Sequence, residues 1–215
     1  MVEKQMNENH DHNHDHDRTF QPDLEDFPPS ESELMAEAIR TLLIEKGIFD
    51  AEEVRSEVDK VDSVESTLGA RIVARAWCDQ KFKETLLVDA TKAVKIFNVD
   101  MGEAVLIAVE NTSNHHNLIV CTLCSCYPRQ VLGLPPDWYK SRAYRSRAVI
   151  EPRAVLEEFG TQIDDGVELR VHDSTADIRY MVLPKRPSGA EDYSEEQLAK
   201  LVTRDMLVGV TVPKI

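Results

Sequence analysis

The sequence predicts an α+β protein in which a helical N-terminal arm precedes a core that carries a cysteine-rich metal loop. Three observations lead to this prediction. Apolar residues recur at helical spacing before residue 100, strand-like apolar runs begin at Ala104, and three of the four cysteines lie between Cys121 and Cys126. Helices followed by a mixture of helices and strands are typical of the α+β class. We therefore divide the chain into a tail (1–29), a helical arm (30–100) and a metal-binding catalytic core (101–215).

Residues 1–29 are polar and charged, which predicts a disordered tail. Within it, His and Asp alternate from His10 to Asp17. Such a run binds divalent metal loosely. Two interpretations stay open: a tail that gathers metal for the cysteine loop, and a solvated tail without specific binding, which the composition favours.

The helical arm is predicted from capping residues and apolar periodicity. Ser30 and Glu33 match a capping box, and apolar residues then recur at helical spacing as far as Gly47, a natural stop. Asp50 is expected to cap a second helix that runs through about Val61.

Two more helical segments complete the arm. Residues 68–87 are predicted as one helix with an apolar face, and residues 90–97 as a further turn or two. We expect Trp77 and Cys78 to belong to the core rather than to a site.

The core is predicted to contain mixed elements joined by turns. Short apolar runs rich in β-branched residues predict strands at Ala104–Glu110, Asn117–Cys121, Val167–Asp173, Ile178–Leu183 and Leu207–Val212. Proline and capping residues predict a turn-rich segment over 128–144 and helices over Pro152–Gly160 and Ser194–Val202.

Composition excludes several classes of partner. The chain has 39 acidic and 25 basic residues and a formal net charge of −14, so the basic face that nucleic acid binding requires is not expected. No apolar run approaches the ~20 residues that span a bilayer, and the N-terminus lacks the apolar segment of a signal peptide. We therefore expect a cytoplasmic protein without a membrane or nucleic acid partner.

The segment Cys121-Thr122-Leu123-Cys124-Ser125-Cys126 is the most informative part of the sequence. Structural zinc sites usually take four ligands as two separated pairs, and iron–sulfur clusters take four thiolates, so neither fits three clustered cysteines well. A thioredoxin-like pair would leave the third cysteine unexplained, and four cysteines in 215 residues are too few for a disulfide framework. A transition-metal site formed by three sulfurs and the backbone amides of Ser125 and Cys126 remains, and an open position on such an ion would act as a Lewis acid.

This segment resembles the metal-binding motif of the nitrile hydratase alpha subunit. The resemblance extends over roughly Ser32 to Pro213. Further segments that match the family are Glu110-Asn111-Thr112, His116-Asn117, Leu132 to Lys140, Tyr144 to Arg147, Ile178 to Tyr180, Val202 to Asp205 and Gly209-Val210.

The resemblance implies a layered α/β/β/α-like core and a low-spin trivalent metal ion. The ion would be held by Cys121, Cys124, Ser125 and Cys126, one ion per chain, with Cys124 oxidised to the sulfinic acid and Cys126 to the sulfenic acid. Cobalt is favoured over iron because Thr122 stands where iron-containing members usually carry serine. Catalysis by Cys124, Ser125 and Cys126 with the metal would hydrate a small nitrile to an amide, through metal assistance or through attack by the oxidised Cys126.

The resemblance also implies partners. A beta subunit would complete the active site in an alpha2beta2 assembly, because arginines of that subunit hold the oxidised cysteines in the family. An activator protein would insert the metal. Within this chain, we expect Tyr127 to line the pocket or the interface, and His116 to orient the loop through a hydrogen bond.

Arg129 departs from the nitrile hydratase pattern. Many members of the family carry tryptophan at the third position after the last cysteine of the motif, and an arginine there suits a small anion. The gamma subunit of a cobalt thiocyanate hydrolase, which has the same metal loop, is therefore an alternative, and a salt bridge from Arg129 to the partner subunit is another interpretation. A non-catalytic, metal-carrying paralogue is a second alternative.

Overall fold

The computed structural model describes residues 30–50, 52–53 and 67–215. The His/Asp-rich tail and most of the second predicted helix lie outside the described residues. Strands and helices alternate irregularly after residue 100, as expected for an α+β protein. The helices are α1 (Glu31–Glu45), α2 (Leu68–Cys78), α3 (Gln80–Val88), α4 (Ala90–Ala93), α5 (Arg129–Leu132), α6 (Asp137–Lys140), α7 (Arg142–Ile150), α8 (Pro152–Glu158), α9 (Glu195–Leu201) and α10 (Arg204–Val208).

Helix α1 begins and ends where its sequence predicts. Gly47 adopts a positive φ of 66° just beyond the helix, where it terminates the hydrogen-bonding pattern. The reciprocal bonds of a capping box follow: the Glu53 amide donates to the Asp50 side chain, and the Asp50 amide donates to Glu53 Oε2, each at 2.8 Å. The predicted capping role of Asp50 is therefore confirmed.

Residues 68–87 are helical as predicted, but they form two helices, α2 and α3, and not one continuous helix. The helix breaks at Asp79, which is extended, and whose side chain accepts a hydrogen bond from the amide of Phe82 and caps α3. Cys78, at the end of α2, is exposed, so its assignment to the core was wrong. Trp77 is half-buried against the core, and its indole nitrogen donates to the carbonyl of Pro184 at 2.8 Å.

Two parallel, two-stranded sheets form the centre of the core. The strands are β1 (Val105–Glu110), β2 (His115–Val120), β3 (Glu168–Asp173) and β4 (Ile178–Leu183). Strand β1 pairs with β4, and β2 pairs with β3. Parallel pairs need crossover connections, which here include the helices from α5 to α8 between β2 and β3.

The sheets contact each other and are covered by helices on their outer sides. Helices α3 and α4 pack on β1, while α7 packs on β2 and α8 on β3. The layers are thus helix, sheet, sheet and helix, which confirms the predicted layered core. Within the described residues, no helix is both long enough and apolar enough to cross a membrane.

Two predictions for the core were wrong in detail. The segment over 128–144, predicted as turns, contains α5, α6 and the beginning of α7, which Ser141 caps by accepting a hydrogen bond from the amide of Tyr144. The predicted strand Leu207–Val212 is not formed: Leu207 and Val208 end α10, which stops at Gly209, where φ is +93°, and residues 210–212 are irregular. By contrast, the capping box of Ser194 and Gln197 is present and begins α9 as expected.

Candidate metal centre

Strand β2 delivers the cysteine loop to the carboxyl end of its sheet. Strand β2 is buried from His116 onward, and Cys121, directly after it, is completely buried. Cys124 is exposed and Cys126 is half-buried. The Sγ atoms of Cys121 and Cys124 are 3.4 Å apart, those of Cys124 and Cys126 are 3.1 Å apart, and all three lie within 4.8 Å of one another. The structure therefore brings together the three thiols that the motif predicts.

Asp173 fixes the beginning of this loop. It ends β3 directly opposite Val120, and its two carboxylate oxygens accept hydrogen bonds from Thr122, from the amide at 2.9 Å and from the hydroxyl at 2.6 Å. Because both bonds reach one residue, they restrain the first turn after Cys121. The loop thus depends on a strand that follows it by about 50 residues.

Tyr139 fixes the end of the loop. Its hydroxyl donates to the backbone carbonyl of Cys126 at 2.9 Å, and its side chain is completely buried. Burial raises the pKa of this phenol well above its ordinary value, so the group keeps its proton and donates. On the outer side, the guanidinium of Arg145 donates to the carbonyl of Leu123 at 3.3 Å.

The electrostatics of the cluster favour a bound cation. Burial raises the pKa of the Cys126 thiol to about 12, and the adjacent Cys124 contributes in the same direction. The pKa of Cys124 is lowered, mainly by its hydrogen bond with Cys126, while the Arg179 guanidinium favours the thiolate of Cys126. Adjacent thiols resist simultaneous deprotonation because their negative charges repel. A metal ion compensates that charge, and its binding releases protons.

The donor set fits a soft or borderline transition metal. Three convergent sulfurs suit such an ion, and the described residues place no carboxylate or imidazole in the same cluster. Ser125 is half-buried between the two outer cysteines, so its amide and that of Cys126 lie in the chain segment that links two of the sulfurs.

Other predicted residues lie around the loop. Tyr127 is buried and packs edge-to-face on Tyr139, with ring centroids 5.1 Å apart. Among the described residues, its hydroxyl has no hydrogen-bond partner. Arg129 is exposed at the beginning of α5, three positions beyond Cys126.

The structure does not bring His116 to the cysteine loop. It is the second residue of β2, five residues before Cys121, which corresponds to about 16 Å of extended chain. Its Nε2 donates to the carbonyl of Gly209 at 2.7 Å, and its Nδ1 accepts from Asn111 at 3.3 Å. Burial lowers the pKa of His116, which agrees with this neutral tautomer. The predicted hydrogen bond from His116 to the loop is replaced by one that ties β2 to the end of α10.

Sequence reasoning missed two residues that hold the loop and gave a third no specific role. Asp173 was predicted only as the last residue of a strand, and neither Tyr139 nor Arg145 was assigned a contact with the loop. No local pattern identifies them, because each contacts the loop from a different element. The strand that was predicted to end at Asp173 was the one available indication, since the ends of paired parallel strands lie together.

Comparisons with known proteins agree with this site. The family described as nitrile hydratase, alpha chain, matches residues 30–211. The chain is 53% identical over 192 residues to the alpha subunit of the low-molecular-weight cobalt-containing nitrile hydratase of Rhodococcus rhodochrous, covering 86% of this chain and 92% of the relative. It is 43% identical over 197 residues to the gamma subunit of thiocyanate hydrolase from Thiobacillus thioparus, covering 86% and 81%.

Solved structures show the same fold. A recombinant thiocyanate hydrolase with partially modified cobalt centres superposes with a TM-score of 0.79 at 41% identity, over 87% of this chain and 92% of that one. A double mutant of the Fe-type nitrile hydratase from Comamonas testosteroni Ni1 gives 0.78 at 39% identity, with the same coverage.

Proposed function

Because the chain belongs to the nitrile hydratase alpha-chain family, we propose that it is the alpha subunit of a cobalt nitrile hydratase. This hetero-oligomeric enzyme would convert a nitrile and water to an amide. The observation that carries this proposal is the cluster of three thiols after β2, whose sulfurs lie within 4.8 Å of one another. Cys121, Cys124 and Cys126 would hold the ion through sulfur, and Ser125 and Cys126 through their backbone nitrogens. When bound, trivalent cobalt supplies Lewis-acid chemistry for the addition of water to the nitrile.

The chain's own residues define one side of the site. Cys121 lies in the core and excludes water from the inner side, whereas Cys124 and the 90% exposed side chain of Leu123 face outward. Substrate would therefore approach from the exposed side of the loop. In this arrangement the outer cysteines, Cys124 and Cys126, are the ones accessible to oxidation to the sulfinic and sulfenic acids.

Oxidised cysteines next to the metal need positive partners, because unpaired negative charge is costly in a partly buried site. Arg179 lies close enough to Cys126 to favour its anionic form. Further cations would come from a beta subunit in an alpha2beta2 assembly. This chain alone is expected to be inactive.

Helix α1 supports the proposal of a beta partner. Its side chains Leu34, Met35, Ile39 and Leu42 are 49 to 62% exposed, although they repeat at helical spacing and would form one apolar face. Exposed apolar patches of this kind mark interaction surfaces. We assign this face, together with Leu123, to contact with the beta subunit, and metal insertion to a separate activator protein.

Cobalt is favoured over iron by Thr122 and by the cobalt-containing relatives. The Fe-type structural neighbour makes metal content part of the test. The enzyme is expected to act in the cytoplasm.

A direct assay separates the proposals. This chain, co-expressed with its beta-type partner in cobalt-supplemented cells, should yield a complex with stoichiometric cobalt and amide formation from a small aliphatic or an aromatic nitrile. Iron in place of cobalt would contradict the metal assignment. Cobalt without turnover of any substrate would favour the metal-carrying paralogue.

Thiocyanate hydrolysis is the second candidate, and Arg129 favours it. An exposed guanidinium three residues from the metal loop suits an anionic substrate, and the thiocyanate hydrolase gamma subunit is among the similar proteins. Carbonyl sulfide and ammonia from thiocyanate would support this candidate. An Arg129→Ala variant should then lose thiocyanate turnover while keeping any nitrile turnover, whereas equal loss of both would indicate a role of Arg129 at the subunit interface.

A further inference from the structure

Tyr139 contacts the metal loop through a single directional bond. Its hydroxyl donates to the carbonyl of Cys126 at 2.9 Å, at the last position of the cysteine motif. The bond comes from α6, a helix outside the loop, so it fixes Cys126 relative to the rest of the core. No metal ligand is supplied by Tyr139 itself.

The ring of Tyr139 has little freedom to move. It packs edge-to-face on Tyr127 at 5.1 Å and on Trp138 at 6.0 Å, and it is tilted against Tyr144 at 5.7 Å. Its side chain is completely buried. Aromatic contacts from several directions fix the ring plane, so the hydroxyl has one available position.

The hydrogen bond to the Cys126 carbonyl restrains the backbone that carries the Cys126 sulfur. The carbonyl carbon and Cβ are bonded to the same α carbon, so a shift of the backbone that displaces this α carbon displaces Sγ as well. That sulfur is 3.1 Å from the sulfur of Cys124. Loss of the hydroxyl would leave a partly buried carbonyl without this donor, and the backbone would be expected to rotate toward another one.

We propose that Tyr139 is a positioning residue, which sets the place of Cys126 in the metal centre through the hydrogen bond from its hydroxyl to the Cys126 carbonyl. The inference rests on the proposed function, because it assumes that Cys126 is a metal ligand. It concerns the geometry of the centre and not its charge.

Tyr144 provides a matched control. It belongs to the same aromatic cluster, is also buried, and its hydroxyl also donates to a backbone carbonyl, that of Ile119 at 2.5 Å. That carbonyl lies inside β2, where the pairing with β3 also holds the backbone. A Tyr144→Phe variant therefore removes an equivalent bond from the strand and not from the loop.

The test compares the wild-type complex with its Tyr139→Phe and Tyr144→Phe variants, all co-expressed with the beta-type partner. Cobalt affinity of the metal-free complexes, the sulfur-to-cobalt absorption band of the loaded ones, and kcat and KM for a small nitrile are measured, with Tm as a check on folding. Tyr139→Phe should weaken cobalt binding and lower kcat about tenfold, the loss expected for one unpaired carbonyl. It should also shift the absorption band while KM changes little, whereas Tyr144→Phe should lower only Tm.

Each other outcome decides against the inference alone or against both proposals. A Tyr139→Phe complex with the wild-type band, affinity and kcat overturns the inference, and so do equal losses in both variants, which would indicate a structural role of the cluster. A wild-type complex that binds no cobalt refutes the proposed function and the inference together. Cobalt binding by the wild type keeps the two cases distinct.

Discussion

Replacement of Asp173 with asparagine should loosen the first turn of the cysteine loop without changing any proposed metal ligand. The two carboxylate oxygens of Asp173 accept from the amide and from the hydroxyl of Thr122, at 2.9 and 2.6 Å. Asparagine keeps one acceptor, but it loses the charge and presents an NH₂ group where the second oxygen was. The hydrogen bond from the Thr122 amide can persist. The short hydrogen bond from the Thr122 hydroxyl cannot persist in its present form, because an NH₂ group does not accept it.

The size of the effect follows from hydrogen-bond energetics. A bond to a charged acceptor contributes about 1.5 to 3 kcal/mol, and a neutral one about 0.5 to 1.5 kcal/mol. Asp173 is exposed, so the lower ends of both ranges apply. The difference is about 1 kcal/mol, which corresponds to roughly a fivefold weaker affinity for cobalt if the ordered loop is the form that binds.

A double-mutant cycle isolates this bond. Thr122→Val removes the hydroxyl but keeps the amide and the branched shape, so Asp173→Asn in that background should cost much less than in the wild type. Cobalt titration of the metal-free complex is the assay, and Thr122→Ser, which keeps a hydroxyl, is the control. Strictly additive losses would refute the reasoning, since they would mean that Asp173 and Thr122 act independently.

Two further predictions concern the support of β2. Gly209→Ala should destabilise the protein more than Gly102→Ala in urea unfolding. Both glycines have positive φ, which costs an alanine about 1 to 2 kcal/mol. Only at Gly209 would the new Cβ also meet a backbone atom, the carbonyl oxygen of Asn117, at 2.0 Å. Equal losses of stability in the two variants would contradict this account. Burial lowers the pKa of His116 below its ordinary 6.5. As the pH falls, the histidine of the unfolded chain therefore takes up a proton before that of the folded chain does. The free energy of unfolding should thus decrease as the pH drops through about 6.5, by at most ~1.4 kcal/mol per pH unit. His116→Gln should flatten this dependence, and an unchanged slope would assign it to other groups.

The fold was predictable where the local sequence determines the backbone. The helix caps at Asp50 and Ser194 were identified because their hydrogen bonds close within three residues, and the start of α8 was identified because proline favours the first position of a helix. The break at Asp79 was missed since the apolar face continues on both sides of it. Periodicity alone does not separate a short buried helix from a strand, which is why Leu207–Val212 was assigned wrongly.

The clustering of the three thiols was predictable from the sequence, whereas the residues that support the loop were not. Three cysteines within six residues must lie close together, whatever the fold. Their supports come from residues whose distance in sequence carries no information about contact: Tyr139 lies 13 positions beyond Cys126, and Asp173 lies 51 beyond Thr122. His116 illustrates the reverse error, because its closeness in sequence suggested a contact that the straight path of β2 prevents.

The order of these supports along the chain has a consequence for metal binding. Tyr139 and Asp173 both follow the cysteine loop, and Asp173 reaches it only when β3 pairs with β2. The restraint from Asp173 therefore forms only after the crossover from α5 to α8 has brought β3 beside β2. Any ion captured earlier would meet a flexible set of thiols, whose affinity is lower by the cost of ordering them. We therefore expect tight metal binding to depend on completed β2–β3 pairing. Removal of either support should weaken cobalt binding independently of the other, because the two act at opposite ends of the loop.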